Sequence, residues 1–260
     1  MRIYLLLFLC SFYYNAKAQK VLQFGSHSMP YQCVNDTLYI GTYEVGNADY
    51  RQFLSSLSIA EHKLFAIDSS QWTSKFPTDS FGKYMKSYHW HQAFDIYPVV
   101  NISYLAATRY CQWLTETYSK KYPKLRLTFR LPTAGEWRAA ANINRSTGLP
   151  YKLADGINRN KGETFGWYKF NIKTMEGDSA TYSKTDGGYF MVRRDAYWPT
   201  DHNLYNMVGN VSEMLINDGE QIGCSWYEPI PDVQAGSLQR YTAPDPRVGF
   251  RVVAIVKARK

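Results

Sequence analysis

The run Asn206-Met-Val-Gly-Asn-Val-Ser-Glu213 brings amide oxygens, a glycine and a carboxylate together within one short stretch. That composition suits a hard cation. Ca²⁺ takes several oxygens at once from carboxylates, amide side chains and main-chain carbonyls. A turn containing Gly209 would aim successive main-chain carbonyls inward, with Asn206 and Glu213 closing the shell. The spacing is not that of an EF-hand loop, and an ordinary Asn/Gly turn between buried segments shows the same local pattern.

The softer reactive groups are sparse. Of four cysteines, Cys10, Cys33, Cys111 and Cys224, no two have the C-x-x-C spacing of a redox or zinc site. Cys224 is the one candidate nucleophile. A reactive thiol needs a neighbouring base or cation to lower its pKa, and no His, Lys or Arg adjoins Cys224 in sequence, so a structural thiol is the competing reading. His89-Trp-His91 would set two imidazoles on one face of a strand at a spacing that suits a metal, without an assignable third ligand. No nucleophile elbow, phosphate loop or helical zinc motif is present, which removes hydrolase and nucleotide-binding readings.

Several elements must position these groups. Thr37-Leu-Tyr-Ile40 reads as a strand, and Asn47 as the cap of a helix through Tyr50, Phe53 and Leu54. Ser103 caps a longer helix from Tyr104 to about Ser119, whose core face holds Leu105, Ala106, Tyr110, Cys111, Trp113 and Leu114. Leu125 to Leu131 alternates like a strand, and Thr133 with Glu136 forms a capping box ahead of an alanine-rich helix. The segment 142–205 is long, polar and without period, a pattern tolerable if bound ions organise it. Arg247 to Val256 reads as one final, central strand.

The start of the chain has the layout of a secretory signal peptide. Met1-Arg2, an apolar run to about Tyr14 and Ala16-Lys17-Ala18 predict cleavage after residue 18, with 19–260 left as one domain. Leu7-Phe8-Leu9 lacks the small residues expected before an acylated cysteine at Cys10, so the expected product is exported, periplasmic or secreted, and soluble rather than lipid-anchored. No later run approaches the roughly 18 apolar residues of a membrane helix. The formal charge of +8 includes Arg2 and Lys17 of that leader, and the other basic residues are scattered, which argues against a nucleic-acid groove. The 22 Tyr and 7 Trp invite a glycan-binding reading, with core packing as the duller alternative.

Taken in order, the landmarks resemble the formylglycine-generating enzyme, or sulfatase-modifying factor, family. They are Glu44-Val-Gly-Asn-Ala-Asp-Tyr-Arg-Gln-Phe-Leu54, Pro98-Val-Val-Asn-Ile-Ser103, Arg130-Leu-Pro-Thr-Ala-Gly-Glu-Trp137, Leu204 to Glu213, Gly223-Cys-Ser-Trp226 and Gly249-Phe-Arg-Val-Val253. Within it, Phe170-Asn-Ile-Lys173, Gly177-Asp178 and Tyr197-Trp-Pro-Thr-Asp201 look most like the gliding-motility and type IX secretion lipoproteins. The resemblance implies an α+β, C-type-lectin-like fold with little regular structure and a pair of structural Ca²⁺ ions. One would use Asn171, the Ile172 carbonyl, Asp186 and the Gly188 carbonyl; the other Asn206, Gly209, Val211 and Glu213.

The family's oxidases bind Cu(I) through a cysteine pair, for which soft thiolates are suited. Here no cysteine follows Cys224, and Ser212 stands where the oxidases usually carry tryptophan. Copper is therefore not expected. The implied role is a non-catalytic, Ca²⁺-stabilised binding or structural module of the cell envelope with a protein or glycan partner. The alternative is an oxidoreductase of the family with a rearranged site, using Cys224 or a metal at His89 and His91.

Overall fold

Residues 21–23, 29–76, 82–154, 169–172, 190–228 and 234–258 are described by the computed structural model. The expected leader lies outside them. Strands β1 (Val21–Gln23), β2 (Pro30–Cys33) and β3 (Leu38–Gly41) form an antiparallel meander. Helices α1 (Asn47–Ser55), α2 (Ile59–Leu64), α3 (Gln71–Lys75) and α4 (Gly82–Tyr88) follow. The long helix α5 (Tyr104–Lys121) runs into β4 (Leu125–Arg130), then α6 (Ala134–Ala141) and α7 (Tyr151–Ala154). The last third holds only short strands: β5 (Ser212–Met214), β6 (Glu220–Ile222), β7 (Gln239–Arg240), β8 (Val248–Gly249) and β9 (Val253–Ala258).

The strands make two sheets, ordered β1-β2-β3-β9-β4 and β7-β6-β5-β8. Among the described strands β5 and β8 pair in parallel and the other ladders are antiparallel. Successive side chains of a strand face opposite sides, and β3 and β9 feed a separate core on each. Tyr39 and Ala254 join Tyr50, Phe53, Tyr110, Phe129 and Phe250 under α1 and α5. Leu38, Ile40 and Val253 face Trp137, Ala140, Leu204, Met207 and Cys224 on the other side. Burying a side chain such as Phe53 contributes about 1.5–3 kcal/mol.

The caps explain where two helices start. Ser103 Oγ accepts from Ala106 N at 3.1 Å. Thr133 Oγ1 accepts from Glu136 N at 3.1 Å while Glu136 Oε2 accepts from Thr133 N at 2.8 Å. Helix α1 begins differently from expectation. Asn47 is already inside it, sending Nδ2 to the carbonyls of Tyr88 and Phe94, and Asp49 takes the Gly46 amide instead. Leu105, expected in the core, is 56% exposed, because the face of α5 that packs is the one through Ala106, Tyr110 and Leu114.

The expected final strand is divided. Val248 and Gly249 belong to the smaller sheet, β9 to the larger, and Phe250 to Val252 cross between them. β9 lies inside the larger sheet between β3 and β4, as a strand buried on both faces should. Arg251 sits at that crossing. Among the described residues no helix is long and apolar enough to cross a membrane.

Candidate functional site

The turn from Asn206 to Asn210 holds left-handed backbone at Asn206 (φ 52°), Gly209 (φ 77°) and Asn210 (φ 60°). Asparagine and glycine are the residues that tolerate this conformation. Gly209 is required for a second reason: a Cβ there would lie 2.1 Å from the Asn171 carbonyl oxygen. That contact is where the two sequence-predicted ligand sets meet. Asn210 N donates to Asn171 O at 2.8 Å, and Asn171 Nδ2 donates to Asn210 Oδ1 at 3.2 Å and to the Phe190 carbonyl at 2.9 Å. Asn171 and Ile172 are both buried beside the turn, whereas Asp186 and Gly188 lie outside the described residues.

Beneath the turn is a closed ion cluster. Glu44, Glu213 and Arg251 are each 0% exposed. Arg251 donates Nη2 to Glu213 Oε1 at 2.7 Å and Nε to both oxygens at 3.0 and 3.1 Å, and Trp137 Nε1 donates to Glu213 Oε2 at 2.7 Å. Arg251 also reaches the carbonyls of Gly41 and Tyr205 at 2.9 and 2.7 Å. Glu44 takes Asn210 Nδ2 at 2.9 Å and Asn206 Nδ2 at 3.2 Å, with Arg251 Nη2 3.9 Å away. Burial, reinforced by the charge of Glu213 and opposed by Arg251, pushes the Glu44 carboxyl up to about 7.

This charge balance tests the calcium expectation. Two buried carboxylates face one guanidinium, so the centre carries excess negative charge that a proton or a cation would offset. The Asn206 amide turns its nitrogen to Glu44 and the Arg194 carbonyl, which leaves its oxygen for a cation. The left-handed turn and the charge excess fit a hard ion bound through Asn206, Gly209 and Val211. Glu213 would have to share an oxygen with Arg251 or Trp137. Glu44, Asn210 and Arg251 were not singled out from sequence. For Glu44 and Arg251 the signal is a lone charge in the apolar context of Tyr43-Glu-Val45 and of Phe250-Arg-Val252; Asn210 lies within the Asn/Gly run itself.

The soft groups are dispersed. Cys224 is wholly buried with a left-handed backbone (φ 63°), and Gln239 Nε2 lies 3.9 Å from its Sγ. Cys111 is a free thiol in the α5 core, where burial pushes its pKa up. Cys33 is a free thiol on β2, with Sγ toward the Asn35 carbonyl at 3.1 Å. His89 and His91 do not converge on a metal. His89 is buried between Trp72 Nε1 at 3.4 Å and Asn47 Oδ1 at 3.1 Å, and burial pushes its pKa down to about 3. His91 instead accepts from Ala93 N at the start of a short 3₁₀ turn.

A polar cleft of about 340 Å³ opens on the outer side of the smaller sheet, between Lys75 at the end of α3, Ser212, Gln221 and Gln239 on the strands, and the segment through Asp245 and Arg247. A shallower depression of about 500 Å³ shares Tyr241 to Ala243 with it.

The scaffold is thus α+β with modest regular structure, and a left-handed Asn/Gly turn lies over a buried Glu–Arg–Glu centre. Residues 11–255 match the sulfatase-modifying factor enzyme 1-like domain family, and the chain belongs to that family. Solved structures share the fold at low identity. The structure of PvdO from Pseudomonas aeruginosa has a TM-score of 0.54 at 18% identity, over 87% of this chain and 80% of that one. CarF gives 0.51 at 20%, over 91% and 94%. Treponema denticola variable protein 1 gives 0.52 at 15%, over 91% of each. No curated protein matches the chain in sequence.

Proposed function

We propose that this chain is an exported, non-catalytic member of the family, a Ca²⁺-stabilised binding or structural module of the cell envelope that engages a protein or glycan partner. The observation that carries the reading is the placement of the thiols. Cys33 lies on β2, Cys111 in the core under α5, and Cys224 in the core on the other face of the sheet, and no cysteine follows it. The Cu(I) centre of the family's oxidases uses two thiolates at one point, soft ligands that suit that ion. The calcium part of the reading is supported by the excess negative charge at Glu44 and Glu213 and by the oxygen-rich turn above it. The gliding-motility resemblance of Phe170 to Lys173 and Tyr197 to Asp201 favours the envelope as the place of action.

The test is to incubate the purified protein with copper and a cysteine-containing sulfatase-type peptide and look for formylglycine by mass spectrometry, with elemental analysis alongside. Calcium without copper, and unchanged peptide, is the expected result. Peptide conversion that is lost in Cys224→Ser would instead establish an oxidoreductase with a rearranged site.

A further inference from the structure

The fold gathers basic residues that the sequence keeps apart. Helix α5 ends on Lys120 and Lys121, the turn after it carries Lys124, and Arg126 is the second residue of β4. Thr115 Oγ1 accepts Phe129 N at 2.8 Å and the Tyr122 carbonyl accepts Leu125 N at 3.0 Å, so the helix runs back along β4 and ends at its start. Strand β9 is antiparallel to β4 and finishes at the same place, with Lys257 directly opposite Arg126. Lys120, Lys121, Lys124, Arg126 and Lys257 are all exposed at this one end of the larger sheet. Arg259 and Lys260, next in sequence, lie outside the described residues.

Little there offsets the charge. The sequence holds no acid between Glu116 and Glu136, and none after Asp245. Glu116 is turned back along α5, with Oε1 taking Gln112 Nε2 at 2.9 Å and Oε2 3.5 Å from Arg109 Nη1. Asp36, exposed in the turn whose Thr37 carbonyl accepts Val256 N, is a single charge against the group. Among the described residues none of these lysines, nor Arg126, is in an ion pair. Lys120 and Lys121 suit the carbonyl end of a helix, which accounts for their place. Arg126 and Lys257 have no such reason: side chains directly opposite on an antiparallel ladder stand about 4.5–5.5 Å apart at Cβ, where like charges destabilise the sheet. An anion lying across both would turn that repulsion into attraction.

We propose that this end of the sheet docks the chain onto an anionic phospholipid surface, with headgroup phosphates lying across Arg126 and Lys257. The charges sit on a turn and on element ends rather than in either cleft, an arrangement that suits an extended surface more than a pocketed molecule. No large exposed apolar side chain lies within 117–126 or 253–258, so the contact is electrostatic, without insertion into hydrocarbon. The choice of lipid over nucleic acid rests on the envelope reading above. Each Lys or Arg close to an anionic bilayer strengthens binding about fivefold.

The experiment sediments the purified protein with vesicles of equal parts phosphatidylcholine and phosphatidylglycerol, with vesicles of phosphatidylcholine alone, and with the mixed vesicles in the presence of a single-stranded oligonucleotide. The mixed vesicles should bind the protein and release it as salt rises, and the neutral ones should leave it in solution. Arg126→Gln with Lys257→Gln should weaken binding at least about tenfold, while the melting temperature holds or rises. Lys63→Gln with Lys86→Gln removes the same net charge from exposed positions on α2 and α4 and should weaken binding less than about threefold. Absence of binding to the mixed vesicles at low salt, equal binding to neutral ones, equal loss in the two double variants, or displacement by the oligonucleotide at lower concentration than lipid would each overturn the proposal. Cell fractionation separates it from the reading beneath it. A cytosolic chain overturns the envelope reading, whereas failed vesicle binding by a chain found in the envelope overturns the docking alone.

Discussion

Ser212 and Glu213 are neighbours on one short strand, yet they face two different polar environments. Alternation along the strand sends Glu213 into the closed centre and Ser212 into the open cleft. In the centre the carboxylate of Glu213 and every nitrogen of Arg251 have partners within hydrogen-bonding distance. In the cleft Gln221 Oε1 retains an unfilled valence, and Asp245 is shared by Lys75 and Arg247. A saturated polar group holds the fold together; an unsaturated one leaves a valence open. The two environments lie on opposite faces of a single strand.

The contrast breaks most sharply in the centre. Arg251→Met leaves Glu213 and Glu44 buried without their cation, and breaking a buried pair from one side costs about 3–5 kcal/mol, so denaturant titration should show most of the folding stability lost. Gly209→Ala should be comparably damaging, since the added Cβ meets the Asn171 carbonyl in a left-handed backbone.

Acid should act through a different buried group. The folded-state pKa of His89 lies below its ordinary value, so the unfolded chain takes up the proton first as pH falls from about 6.5 toward 3, and stability declines through that window. The loss amounts to about 1.4 kcal/mol per pH unit at most, and His89→Gln should flatten the slope in urea melts recorded across that range.

Chelation comes next in size. Calcium held at a hundred times its dissociation constant stabilises the folded state by about 2.7 kcal/mol, so chelator should lower the melting temperature, and Asn206→Ala should abolish the response. An unchanged melting curve for the parent protein would remove the ion from the turn and leave Arg251 as the centre's only cation. Smaller still is Thr133→Ala, which deletes the cap of α6 and should cost about 1 kcal/mol by the same melts. The smallest effect belongs to the cleft: Lys75→Ala breaks a 3.5 Å pair at a partly exposed side chain and should change stability by less than about 0.5 kcal/mol.

The local features were legible because their causes are local. The caps at Ser103 and Thr133 join groups three residues apart, and the Asn/Gly run carries its own backbone preference at Asn206, Gly209 and Asn210. Misreadings arose where partners were distant. Asn47 has a capping side chain by type, but the carbonyls of Tyr88 and Phe94 claim it. The apolar run from Arg247 to Val256 looks continuous, yet Arg251 must turn toward Glu213, and the run is divided between two sheets. His89 and His91 share a spacing suited to a metal, but one enters the core and the other caps a turn.

By itself the sequence determined the family, the order of the landmarks, the Asn/Gly turn and the lack of a thiol pair after Cys224, since each depends on residue type and short spacing. Only the tertiary structure decided that Glu44 and Glu213 share Arg251, that Asn171 meets Asn210, and that Gln221 and Tyr241 face one cleft. Those contacts join segments far apart in the chain. Their energies come from burial and charge pairing that exist once the sheets have closed, and no local pattern encodes them.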